Sequence, residues 1–141
     1  MDVLDVLRLS EEKGGPERRA AITHLLKYAR GAGCLFQPAG GKTGGFNVRY
    51  GSLGYSLVDV TTEGTVYFHV NPDSGRKLDE ATRTERNDYI ESLEGVTVKN
   101  GPIQNYGQVT ENIEDIPSET MEKFIDYCVG HIRSTFYSGI H

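Results

Sequence analysis

The sequence predicts a single α+β domain over residues 1–141, a mostly antiparallel sheet of four or five strands with helices packed on one face. Three observations predict it. Apolar residues recur at helical spacing as far as Gly31 and then at the alternating spacing of strands. The stretch YSLVDVTTEGTVYFHV reads as two strands joined by a tight turn. The stretch MEKFIDYCVGHIRSTF reads as an amphipathic closing helix.

Taken in order, DVLDVLRL places Val3, Leu4 and Leu7 on one side of a short helix over Asp2 to Leu9. Gly14-Gly15 breaks it, and Pro16 suits the first turn of the next helix, where its missing N–H costs nothing. Ile22, Leu25, Leu26 and Ala29 give that second helix an apolar stripe, and Gly31 offers a left-handed stop. CLFQ and FNVRY follow as strands. In the hairpin, Thr62-Glu63-Gly64 supplies a glycine where a three-residue loop needs positive φ. Val66, Phe68 and Val70 then face one way and Tyr67 and His69 the other, so the sheet has one packed and one wetter face.

Asn71-Pro72-Asp73-Ser74-Gly75 is a loop by composition. LDEATRTERNDYIESLEG is a surface helix stopped by Gly95, and a short strand or two lies around Asn100-Gly101-Pro102. Ser118 is placed to cap the closing helix, whose stripe is Met121, Phe124, Ile125, Cys128, Ile132 and Phe136. The expected core draws on Ile22, Leu25, Leu26, Leu57, Val66, Phe68, Phe124, Ile125, Cys128 and Ile132.

Composition narrows the class. A hydrophobic fraction of 37% with 25% charged residues belongs to a folded chain rather than a disordered one. No apolar run approaches the ~20 residues that span a bilayer. The N-terminus lacks a basic start and a cleavable apolar core. A cytoplasmic protein without a membrane partner is expected. Cys34 and Cys128 stand far apart in apolar settings and read as two small buried hydrophobes.

The net charge of −5 is unevenly spread. From Lys13 to Arg49 the basic residues are opposed only by Glu17, while the remainder of the chain is acidic. Arg18, Arg19, Lys27, Arg30 and Lys42 are therefore the candidate ligand-binding residues, on a basic helix followed by the glycine loop QPAGGKTGGF. Gly41-Lys42-Thr43 resembles the end of a phosphate-binding P-loop, but that motif needs a glycine at position 36, where the chain has Phe36. The strand-like GGFNVRY that follows also provides no helix N-terminus for a phosphate.

His24, His69, His131 and His141 show no metal-ligand spacing, and no CxxC or HExxH is present, so no metal, cofactor or catalytic residue is assigned. Asp59, on a hairpin strand, is the one acid placed as a Mg²⁺-dependent nuclease would place it, yet the next strand, TVYFHV, lacks the usual companion acid. The basic set with Tyr28, Tyr50 and Tyr55 could meet nucleic acid, against a pI near 5.3.

The pair LGYSLVDVTTEGTVYFHVNP and the closing IPSETMEKFIDYCVGHIRSTFY resemble a group of small prokaryotic domains of unknown function, found alone or attached to predicted transport and restriction-related proteins. The likeness covers residues 53 to 137 and implies an α+β fold but carries no site residue. The expected function is a binding or regulatory module that engages an anionic ligand or a protein partner. The alternatives are a metal-dependent hydrolase or nuclease built on Asp59, and a self-associating protein whose closing helix supplies a homodimer face.

Overall fold

The computed structural model describes residues 2–39, 43–51, 54–71 and 77–136. Lys42, residues 72–75 of the expected loop and His141 lie outside the described residues, as does the side chain of Phe136. The chain forms three helices and one five-stranded sheet. Helix α1 is Val3–Gly31, β1 Cys34–Ala39, β2 Gly45–Tyr50, β3 Tyr55–Thr61 and β4 Val66–His69. Then come α2 Glu80–Ser92, β5 Tyr106–Gln108, a 3-10 turn Ile113–Asp115 and α3 Ser118–Phe136. The strands pair antiparallel in sequence order, β1-β2-β3-β4-β5.

Helix α1 is longer at its start than the pattern predicts. It begins at a capping box, Asp2 and Asp5 each accepting the other's backbone N–H, and runs to a kink at Gly15, whose φ is 84°. Its C-terminal reversal uses Gly33, at φ 89°, rather than Gly31, because Ala32 still bonds back to the last turn. Ser118 is the first residue of α3 rather than its cap, which falls on Pro117.

Helices α1 and α3 cover one face of the sheet. Every residue expected in the core is buried there, with Phe68 against Phe124 at 4.3 Å between ring centroids. The core also takes in Phe46, Val48, Ile90, Ile103 and Ile113. Fully burying side chains of this size contributes about 1.5–3 kcal/mol each. The apolar stripe of α3 that could have served a homodimer, Met121 to Ile132, is therefore spent on the chain's own core. Two bonds tie α3 to α1 at the surface, His24 to Glu122 at 2.7 Å and Tyr28 to Asp126 at 2.7 Å. The carboxylate beside it pushes the Tyr28 hydroxyl up to about 12.

Arg18 ends up inside. Its guanidinium bonds Glu114 at 2.8 Å and the Thr62 carbonyl at 3.3 Å, joining α1 to the 3-10 turn and to the β3-β4 hairpin. Gly64 serves twice here. Its φ of 86° turns the hairpin, and a Cβ on it would stand 2.8 Å from Arg18 Nε.

The strand register carries one irregularity. Val48 pairs with Val58 but Arg49 pairs with Ser56, so Leu57 is an extra residue, a β-bulge. Tyr55 and Leu57 join the core, and Ser56 is turned to the uncovered face beside Arg49.

Candidate functional site

The face of the sheet away from the helices holds a hollow of about 560 Å³. Its floor is made of alternate residues from β2, β3 and β4, which pair across the strands. Asn47 opposes Asp59, and Asp59 opposes Tyr67. One row along, Arg49 opposes Ser56, and His69 opposes Tyr106 of β5. The same alternation that sends Phe46, Val58 and Phe68 into the core aims these polar and aromatic groups outward.

Asp59 is the centre of a polar network. Asn47 Nδ2 donates to Asp59 Oδ1, and His69 Nε2 donates to Asp59 Oδ2 at 3.0 Å. Ser56 Oγ stands 3.5 Å from Asn47 Oδ1. The His69 side chain is 13% exposed and that of Asp59 36%, so the pair sits at the floor rather than on an open rim.

Arg49 and Arg86 each have a buried Nε without a hydrogen-bond partner, and of the two only Arg49 lines the sheet-face hollow. Arg49 donates to the Gly54 carbonyl at 3.1 Å. Among the described residues it has no ion pair, although Asp59 lines the same hollow. Tyr106 stands at the edge, 60% exposed, 5.5 Å from the His69 ring and 6.0 Å from that of Tyr67. Thr43, Gly44 and Gly45, the end of the glycine loop, close another side. A Cβ at Gly45 would lie 2.3 Å from the Val60 carbonyl, so only glycine lets the loop hug β3 there. Lys13 anchors this corner from α1, its Nζ 2.8 Å from Thr62 Oγ1.

The residues singled out from sequence divide. Arg18 is buried on Glu114, and Arg19 lies 4.0 Å from Glu11. Arg19 and Lys27 share a shallow hollow on α1, and Lys27 and Arg30 border an apolar one with Leu26 and Phe36. Neither Lys27 nor Arg30 has a carboxylate partner among the described residues, and Arg30 sits over the Phe36 ring at 5.3 Å. Arg19, Lys27 and Arg30 thus lie apart from the sheet-face hollow, which Thr43–Gly45 border. Sequence reasoning reached Asp59 and His69 singly but did not pair them, and it missed Asn47, Arg49, Ser56 and Tyr106. The signal for most of them was the alternation itself, since FNVRY places Asn47 and Arg49 on the face opposite Phe46 and Val48.

Asp59 is met by an amide and an imidazole, not by a second carboxylate, and the described residues contain no group of three or more His, Cys, Asp or Glu able to hold a metal ion. Cys34 and Cys128 are free and buried, and burial pushes their thiols up to about 12 and about 11. No helix among the described residues is long and apolar enough to cross a membrane. Neither a protein-family model, a curated protein nor a solved structure matches this chain.

Proposed function

We propose that the chain is a binding module that receives a small anionic ligand in the sheet-face hollow, with Arg49 as the anion contact and Thr43–Gly45 as one wall. The observation that carries this reading is Arg49 itself, a guanidinium beside a hollow, with a buried unpaired Nε and no carboxylate partner among the described residues. Leaving a buried donor unsatisfied costs about 1–3 kcal/mol, and an anion drawing the guanidinium toward the hollow would offset that cost. Asp59 is already met by Asn47 and His69 and forms no ion pair with Arg49 among the described residues. A hollow of this volume falls within the range of small-molecule sites. The buried free thiols suit a reducing compartment, which supports a cytoplasmic location.

Inorganic phosphate, sulfate and acetate, each titrated at low ionic strength while the melting temperature is followed, test the reading. Stabilisation by any of them in the parent protein, lost in Arg49→Gln, supports it. Stabilisation kept in Arg49→Gln but lost in Lys27→Glu/Arg30→Glu moves the site to α1. That second reading, an acidic protein partner on the α1 flank, is favoured by the absence of a carboxylate on Lys27 and Arg30 among the described residues.

A further inference from the structure

We infer that the ligand of the sheet-face hollow is a planar heteroaromatic ring carrying a phosphate, of nucleoside monophosphate size, its ring on Tyr106 and its phosphate at Arg49. The inference rests on the anion-binding reading above and adds the rest of the molecule to it.

Two features outside Arg49 carry it. The first is the arrangement of rings. Tyr106 is an exposed tyrosine at the edge of the hollow, tilted against His69 and edge-on to Tyr67. Such a cluster gives a flat ligand a stacking surface on one side and leaves the other side open for entry. A compact anion such as sulfate would leave these rings unused.

The second is spacing. Arg49 lies on β2 and Tyr106 on β5, three strand steps apart in the sheet order. At about 4.8 Å per strand they stand roughly 14 Å apart, which a base, a sugar and a phosphate laid across the strands would span. A ligand in that pose runs along the row of Ser56 and His69, beside Asp59. Beyond the bonds from Asn47 and His69, the Asp59 carboxylate oxygens keep further lone pairs and can still accept a hydrogen bond. Acceptors at that point suit the N–H groups and hydroxyls of a base and sugar and disfavour a second phosphate. The phosphate is directed to the end of the hollow where Arg49 supplies the cation and Ser56 faces it.

Calorimetric titration at low ionic strength tests the inference with adenosine 5′-monophosphate, uridine 5′-monophosphate, the two nucleosides, ribose 5-phosphate and inorganic phosphate. The expected result is a monophosphate that binds at least about 10-fold more tightly than inorganic phosphate, as one base stack provides. Tyr106→Ala, at an exposed position, should weaken the monophosphate about 10-fold and leave inorganic phosphate unchanged. Arg49→Gln should weaken both phosphates by a similar factor and leave the nucleosides unchanged. Should Arg49→Gln fail to fold, Arg49→Lys keeps the charge without the planar fork and serves in its place. Inorganic phosphate that binds through Arg49, with monophosphates no tighter and indifferent to Tyr106→Ala, overturns the ring and leaves the anion site standing. No binding by any phosphate overturns both. A short single-stranded RNA that binds far more tightly than every monophosphate overturns the assignment to a free nucleotide.

Discussion

The two faces of one sheet obey different rules, although the same strands build both. On the helix-covered face Phe46, Val48, Val58, Val60, Val66 and Phe68 are all but fully buried and interchangeable in kind, apolar groups selected by volume. On the other face Asn47, Arg49, Ser56, Asp59 and His69 are individually chosen, each with a hydrogen-bonding role or a position opposite one that has it. The first face supplies most of the buried apolar area, and the second is built from hydrogen-bonded polar groups. Function is therefore to be sought where stability does not explain the residue.

Several experiments would break or sharpen that contrast. The largest loss is expected from Phe68→Ala, which removes the ring packed on Phe124 and should cost about 3–5 kcal/mol in urea unfolding. Glu114→Gln comes next. It leaves Arg18, with a side chain 9% exposed, in the interior without its counter-charge, and a loss on the order of 3 kcal/mol is expected from the same measurement.

Across the sheet the effects should fall. Asp59→Ala removes the acceptor of Asn47 and His69 at a partly exposed site, and about 1 kcal/mol is expected. Tyr106→Ala should remain within about 0.5 kcal/mol of the parent protein. A Tyr106→Ala variant as damaging as Phe68→Ala would make the uncovered face structural and end the contrast.

A test by pH addresses a third environment, the contact of α2 with α3. Arg86 is buried, donates to the Val70 carbonyl and to His131 Nδ1, and lies over the Tyr127 ring. An arginine can only donate, so His131 Nδ1 must be unprotonated there. Burial first, and the Arg86 charge second, lower the His131 pKa, against the opposing pull of Glu85 and Asp79. The unfolded chain therefore binds this proton more readily than the folded one. Stability should be full above the ordinary histidine range and fall as pH drops from about 6.5 toward the lowered folded value. His131→Gln should flatten that slope in melts taken from pH 7.5 to 5.

Much of the fold was legible because periodicity is a local property. The switch from helical to alternating spacing after Gly31, the glycine at 64 and the stripe of α3 each place an element by themselves. Less could be read where partners are distant. Arg18 has the appearance of a surface cation in its own helix, and Glu114, ninety-six residues away, with the Thr62 carbonyl holds it inside. Gly31 reads as the stop from the sequence, and only the last turn's bonds move the reversal to Gly33. The site was legible by halves: alternation places Asp59 and His69 on the wetter face, but Ser56 joins Arg49 through a register shift that composition does not announce.

That register shift has a consequence for how the hollow is specified. Leu57 is supernumerary, because the pairs Val48–Val58 and Arg49–Ser56 would be consecutive rungs of a regular ladder if it were deleted. Removing it would change none of the groups that point into the hollow, yet it would take away the local bend and added twist that a bulge imposes on a strand. The inventory of the face and its curvature are thus written in different currencies, one in the identity of alternate residues and the other in a count. A chain shortened by that single leucine would keep every contact group and present them on a flatter surface.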